Sequence, residues 1–303
     1  MKYRTPLALG ALALLLAGCQ AQTSIPNSSE KLMTIGNKTV TKGDEYQILK
    51  KGSGTTGTLA IANRQIADKE IGVTDEIKKQ AQETLDTYAE IEGFDDQLKQ
   101  IGYDSADDYM NEVLIPNLQS QELTKKYFTD AKEDVITSFD PVLAVIIETD
   151  SEDNANKALE ALKKGDDAGK VGGTYASEDA TYTGTEQIIT TQDSGLPETL
   201  RNAILDASKE EVLDQVFTND TSTDDVTYYV AKVVSTDYDK NLDKIVSALS
   251  SNQTIASDCQ IYYLKKYQFE VHDQDVFDAF KANNPEYLVT RPDLTEGKSD
   301  SQQ

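Results

Sequence analysis

Apolar residues recur at helical spacing between Leu59 and Tyr127, and then run without a break from Val142 to Ile147. That change of period divides the chain. Ahead of the helical stretch, Met33 to Val40 alternates around Gly36-Asn37 and predicts a short hairpin. Thr41 is placed to cap a first helix carrying Tyr46, Ile48 and Leu49, which the Gly52 to Gly57 stretch is expected to interrupt. Leu59, Ala62, Ile66 and Ala67 then share a helical face that ends near Glu70, before Gly72. Thr74 opens the next helix, with Ile77, Ala81, Leu85 and Tyr88 on one side. Gly93-Phe94 leads a short segment holding Leu98 and Ile101. Ser105 begins a long helix as Ser-x-x-Asp, with Tyr109, Val113 and Leu114 as its buried stripe. Pro116 should kink that helix, because it removes a backbone donor.

Phe139-Asp140-Pro141 is a natural boundary, and the run after it predicts a buried strand. Ser151 starts a helix with Ala155, Ala158, Leu159 and Leu162 on one face, ended by Gly165. A Gly- and Thr-rich passage to Thr191 is expected to be loop. Leu196, Leu200, Ala203 and Ile204 mark another helix. Val212 to Phe217 and Val226 to Val234 predict two strands joined by a polar turn. Beyond them, Leu242 to Leu249, the segment around Cys259 to Tyr267, and Asp275 to Phe280 are helical again. The fold class is therefore α+β: a mainly helical lobe built from N- and C-terminal helices, with a small α+β domain inserted. The expected parts are a helical domain at 32–138, an α+β domain at 139–236, returning helices at 237–284 and a disordered tail at 285–303.

The first residues change the picture of where such a protein works. Lys2 and Arg4 precede an apolar run from Leu7 to Leu16, too short to span a bilayer, which wants about 20 apolar residues. Leu16-Ala17-Gly18-Cys19 follows, and it resembles the lipobox of bacterial lipoproteins. By that resemblance residues 1–18 are a signal peptide, Cys19 carries lipid, and residues 19–31 form a flexible stalk. More than one acyl chain gives lasting attachment where one is marginal.

Charge and chemistry narrow the function classes. The 303 residues carry a formal charge of -24, which becomes -26 once Lys2 and Arg4 leave with the signal peptide. Such a surface argues against nucleic acid, whose phosphates need clustered Lys and Arg. Beside Cys19 the chain has only Cys259, so no intramolecular disulfide is expected, and Cys259 reads as a small buried residue. His272 is the only histidine, which leaves no imidazole set for a zinc site and a Ser-His-Asp triad only through it. It reads as a surface residue, and neither metal nor cofactor is expected.

The order of elements (lipobox, hairpin with helices, small α+β domain, returning helices) resembles the PrsA family of extracytoplasmic foldases. The N-terminal segment is also similar to that of SurA-type periplasmic chaperones. The best local matches are Phe94 to Tyr109 and Val271-His272-Asp273-Gln274-Asp275 before Phe277 and Phe280. The central domain looks like a parvulin, the prolyl isomerase module of that family. The resemblance implies a histidine on the first strand, where Val145-Ile146-Ile147 puts Val145 in its slot. It implies a second on the last strand, where Thr227 to Val233 has Tyr229 instead. Asp179 matches the family's central Cys or Asp, Gly184 is what survives of its glycine turn, and Leu196, Leu200 and Ile204 stand where it forms a proline pocket.

These substitutions bear on chemistry. Prolyl isomerisation lowers a rotation barrier of roughly 18–20 kcal/mol without breaking a bond. The paired histidines orient the central Cys or Asp, which Val145 cannot do and Tyr229 can do only in part. The resemblance therefore implies a membrane-anchored foldase or chaperone acting on unfolded or newly exported polypeptides, without efficient isomerase activity. The alternatives are an active parvulin-type isomerase relying on Asp179 and Tyr229, and, further off, a solute-binding or adhesive lipoprotein. The implied location is the extracytoplasmic face of a cell membrane, with a Gram-positive exterior favoured and the outer membrane of a two-membrane host as the alternative. Homodimerisation is left open.

Overall fold

The structure, a computed structural model, describes residues 24–219 and 226–295. Cys19 and the signal-peptide expectation lie outside them. Two compact units form, one from the chain up to residue 66 with that from 261, the other from 67–260. Both divisions fall within helices.

In the first unit, β1 (Lys31–Ile35) and β2 (Lys38–Thr41) pair antiparallel, with Gly36 at φ +62° supplying the left-handed turn. Thr41 and Asp44 then start α1 reciprocally. The Asp44 N–H donates to Thr41 Oγ1 at 3.2 Å, and the Thr41 N–H donates to Asp44 Oδ2 at 2.8 Å. Helix α1 runs from Lys42 to Glu70 without interruption, so the expected break at Gly52 to Gly57 does not occur. Each helical glycine costs about 1 kcal/mol, which packing can offset. At Gly54 an added Cβ would sit 3.2 Å from Val276 Cγ2, so its small size permits close approach of α12 (Gln274–Asn283). Lys50 and Asp273 join these helices, as described below.

The disordered tail expected at 285–303 is corrected for residues 285–295, the remainder lying outside the described residues. Residues Pro285–Tyr287 and Pro292–Leu294 form 3-10 turns, and Leu288 is buried with Val271, Val276 and Phe280. An apolar anchor inside a polar stretch orders it, which average composition hides.

In the second unit, Thr74 caps α2 (Asp75–Ala89), whose Ile77, Ala81 and Leu85 pack with Leu114 and Ile115. Helix α3 (Phe94–Gln100) and the Ser105-capped α4 (Ala106–Tyr109) follow. In place of a simple kink at Pro116, a π turn occupies Met110–Leu114, where the Ile115 N–H donates to the Met110 carbonyl. The wider turn comes just before the proline, whose ring would otherwise meet the carbonyl four residues back. Helices α5 (Ile115–Asp130) and α6 (Lys132–Phe139) lead to Asp140, at φ +44°, which turns the chain into the sheet.

The sheet has the order β4-β3-β7-β5, all antiparallel, with β3 (Val142–Thr149) and β7 (Tyr228–Ser235) central. On one face lie α7 (Glu152–Lys164) and α8 (Ala168–Tyr175); on the other lies α9 (Glu198–Leu205). The Gly- and Thr-rich passage expected as loop holds both α8 and β4 (Thr183–Ile189). Its glycines allow that arrangement. A Cβ on Gly172 would fall 1.9 Å from the Thr183 carbonyl oxygen, and one on Gly184 would fall 2.2 Å from that of Ala168. The expected strand at 212–217 is two short ones, β5 (Glu211–Val212) and β6 (Phe217–Thr218), both paired with β7. Helices α10 (Leu242–Leu249) and α11 (Gln253–Lys266) follow. Cys259 is buried, with burial pushing its thiol up to about 12, and the His272 side chain is exposed.

Candidate functional site

Alternation along β3 decides which residues meet on the face that α9 covers. Val142, Ala144 and Ile146 point to that side, while Ile147 belongs to the opposite core with Ala155 and Leu159. On β7, Tyr229, Ala231 and Val233 point the same way as Ile146, and Val230 points away. The β3–β7 register is regular from Ala144 to Thr149, placing Glu148 opposite Tyr229 and Val145 opposite Lys232. Val145 is therefore buried on the face away from Tyr229. The family resemblance puts Val145 in the slot of Tyr229's partner; the structure gives that side of the sheet to Ile146. A one-residue displacement in a strand reverses the face, and an aliphatic run offers no polar marker to fix it.

Leu196, Leu200 and Ile204 do reach this face, but as its packing. Leu200 and Ile204 are fully buried and Leu196 nearly so, in one cluster with Ile146, Phe217 and Ala231. They form the domain core rather than the wall of an open proline pocket. Asp179 is exposed in the turn closed by the Ala180 N–H donating to the Ser177 carbonyl at 3.1 Å.

What fills the end of the face is a polar-aromatic group that the sequence reading missed in Glu148 and Tyr182. The Tyr182 and Tyr229 rings lie 6.3 Å apart at 71°, an edge-to-face contact. Glu148 Oε2 accepts from the backbone N–H groups of Thr181 and Tyr182, at 3.0 and 3.4 Å. The Glu148 carbonyl also accepts from the Ser177 N–H at 3.0 Å, so this residue clamps the loop bearing Asp179 onto the end of β3. Burial raises the Tyr229 hydroxyl above its usual range, helped by the Glu148 charge and opposed by a hydrogen bond with Thr227. Burial raises Tyr182 too, with Asp193 and Glu148 adding to it. Both phenols are therefore neutral donors at physiological pH. The available signal for Glu148 was an acid at the end of an otherwise aliphatic run.

This group can donate hydrogen bonds and stack against a peptide, but it holds no imidazole, the chain's single histidine being His272. Among the described residues no set of His, Cys, Asp and Glu is arranged to hold a metal ion, and no helix is long and apolar enough to cross a membrane.

Comparison with known proteins gives this architecture its relatives. No protein-family model matches the chain. The foldase protein PrsA of Streptococcus mutans is 29% identical over 253 residues, covering 80% of this chain and 73% of that protein. The foldase protein PrsA of Lactococcus lactis is 27% identical over 289 residues, covering 89% and 90%. The chain is related to the PrsA foldases. Among solved structures, the PrsA of Bacillus cereus, described as a peptidylprolyl isomerase, aligns over 84% of this chain and 98% of its own at 16% identity, with a TM-score of 0.46. The PrsA relationship runs through both units, since the Lactococcus alignment covers nearly the whole chain.

Proposed function

We propose that this chain is an extracytoplasmic foldase of the PrsA type that holds exported polypeptides while they fold, with little prolyl isomerase activity. Kinship to PrsA foldases over most of its length supports the chaperone role. The observation that separates holding from isomerising is the sheet face itself, where Ile146 and Tyr229 stand in place of a paired imidazole set. A fully buried isoleucine neither donates nor accepts a hydrogen bond, so Tyr229 has no titratable partner from β3 on that face except the backbone-bound Glu148.

In this reading the chain is tethered through lipid on Cys19, with the polar residues from Gln20 to Pro26 as spacer. The end of the expected 19–31 stalk belongs instead to the fold, where the Gly43 N–H donates to the Ser28 carbonyl and the Lys42 N–H to that of Glu30. Metabolic labelling with a fatty acid tests the anchor, with Cys19→Ser expected to abolish the label and release the protein.

A paired assay tests the function. It follows cis/trans isomerisation of a proline peptide and aggregation of an unfolded secreted protein in one buffer. Delayed aggregation without faster isomerisation is expected. Isomerisation well above the spontaneous rate would show that Tyr229, Glu148 and Asp179 suffice for the chemistry.

A further inference from the structure

We infer that the face formed by the end of α2, α3 and the start of α4 is a docking site for polypeptide segments that carry lysine or arginine among apolar residues. The inference rests on the foldase reading and names the class of client segment bound at this part of the second unit.

Aromatic rings form a continuous series here. Tyr88 contacts Phe94 at 6.0 Å, Phe94 contacts Tyr109 at 6.3 Å, and Tyr109 contacts Tyr103 at 5.2 Å. Tyr88 at one end is 36% exposed, Ile91, which lines the larger of two concavities here, is 52% exposed, and Ile101, two residues before Tyr103, is 66% exposed. Phe94 and Tyr109 of this ladder pack against the Ile77, Leu85 and Leu114 core, so the contact surface is made by the exposed Tyr88, Ile91 and Ile101 around them. An open concavity of about 500 Å³ is lined by Ile91 and Phe94, and a second of about 370 Å³, lined by Asp104 and Asp107, shares Asp95 and Lys99 with it.

Charge selects the occupant. From Tyr88 to Tyr109 the chain carries seven acids and one base, Lys99. Asp108 serves the local fold, since its carboxylate accepts from the Asp104 N–H at 3.3 Å. Glu90, Glu92, Asp95, Asp96, Asp104 and Asp107 take part in none of the ion pairs found among the described residues, although exposed carboxylates elsewhere do, as at Asp153, Asp237 and Asp239. An aromatic surface rimmed by unneutralised carboxylates suits a cation, whose charge meets the rim while the ring faces attract it. A neutral apolar segment would gain from the ladder alone, and an acidic one would be repelled.

The test uses the full chain in neutral detergent and short fluorescein-labelled peptides in which leucine alternates with lysine, glutamine or glutamate. Anisotropy at low salt should rank lysine above glutamine above glutamate. Asp95→Asn/Asp96→Asn/Asp104→Asn should weaken the lysine peptide about five- to tenfold and leave the glutamine peptide unchanged. Ile91→Ser/Ile101→Ser should weaken both. Glu160→Gln/Asp166→Asn/Asp206→Asn, an equal three-charge neutralisation on the α+β domain, should change neither. Equal affinity for the three peptides, or equal losses from the α3 and control variants, would overturn the inference. A parallel aggregation assay keeps it apart from the foldase reading: delayed aggregation without peptide selectivity removes this site alone, while selectivity without delayed aggregation removes the foldase role.

Discussion

Val145 and Tyr229 project from opposite faces of the same sheet, although they lie on neighbouring, hydrogen-bonded strands. Ile146 shares Tyr229's face, and Glu148 stands directly across from it. Any group on β3 meant to act together with Tyr229 must stand at an even position of that strand.

Introducing histidines tests that relationship. Ile146→His/Tyr229→His puts both imidazoles on one face, whereas Val145→His/Tyr229→His separates them across the sheet. Only the first pair is expected to raise the isomerisation rate of a proline peptide. Its cost to stability should be about 2–4 kcal/mol, because a fully buried isoleucine is replaced by a polar ring. Equal rates from the two double variants would refute the assignment of faces.

The glycines between α8 and β4 differ in what surrounds them. Gly172→Ala should destabilise by about 2–4 kcal/mol in urea unfolding, because its Cβ would meet the Thr183 backbone. Gly173→Ala, on the same helix with nothing within 4 Å of the added atom, should stabilise by about 0.5–1 kcal/mol. Adjacent glycines with opposite signs would confirm the close approach.

Lys50 is the buried pin of the first unit. Its ammonium lies 3.2 Å from Asp273 Oδ2 and 2.6 Å from Asp275 Oδ2, with only 3% of its side chain exposed. Asp273 Oδ1 meanwhile accepts from the Asp275 and Val276 N–H groups and so caps α12. Lys50→Ala should lower stability by about 2–4 kcal/mol, since it leaves the Asp273 carboxylate buried without its cation. Burial alone would lower the Lys50 pKa, but hydrogen bonds and charge from Asp275 and Asp273 outweigh it and raise the value. The sign follows: the contribution is complete below the unfolded-state pKa of about 10.4 and is lost as pH rises through the higher folded value. Urea midpoints of wild type and Lys50→Ala should therefore converge only in strong alkali.

Cys259 should be silent to thiol reagents in the folded protein. It is 5% exposed, and burial pushes its thiol up to about 12, so almost no thiolate exists at pH 8. With Cys19 replaced by serine, a disulfide reagent should find no reactive thiol until urea unfolds the second unit. Rapid reaction of the native protein would show that α11 opens locally.

Much of this protein was legible before any coordinates. Thr41, Thr74, Ser105 and Ser151 each announced a helix start by side-chain chemistry, and each accepts the expected backbone hydrogen bond. Gly36 and Gly165 marked turns that need positive φ, and the Val142 to Ile147 run fixed a buried strand. These signals are local, so the sequence by itself determined most of the helices, the central strands, the α+β class and the kinship to foldases. Other features depend on residues far apart in the chain. Only the tertiary structure carried α1 through Gly52 to Gly57, with Gly54 against Val276, and folded the Gly-rich passage into α8 and β4. It also assembled the aromatic series from Tyr88 to Tyr109, and it turned Val145 away from Tyr229 while bringing Ile146 and Glu148 to it. Periodicity marks that a strand is buried on both faces, but register alone decides which residue each face presents.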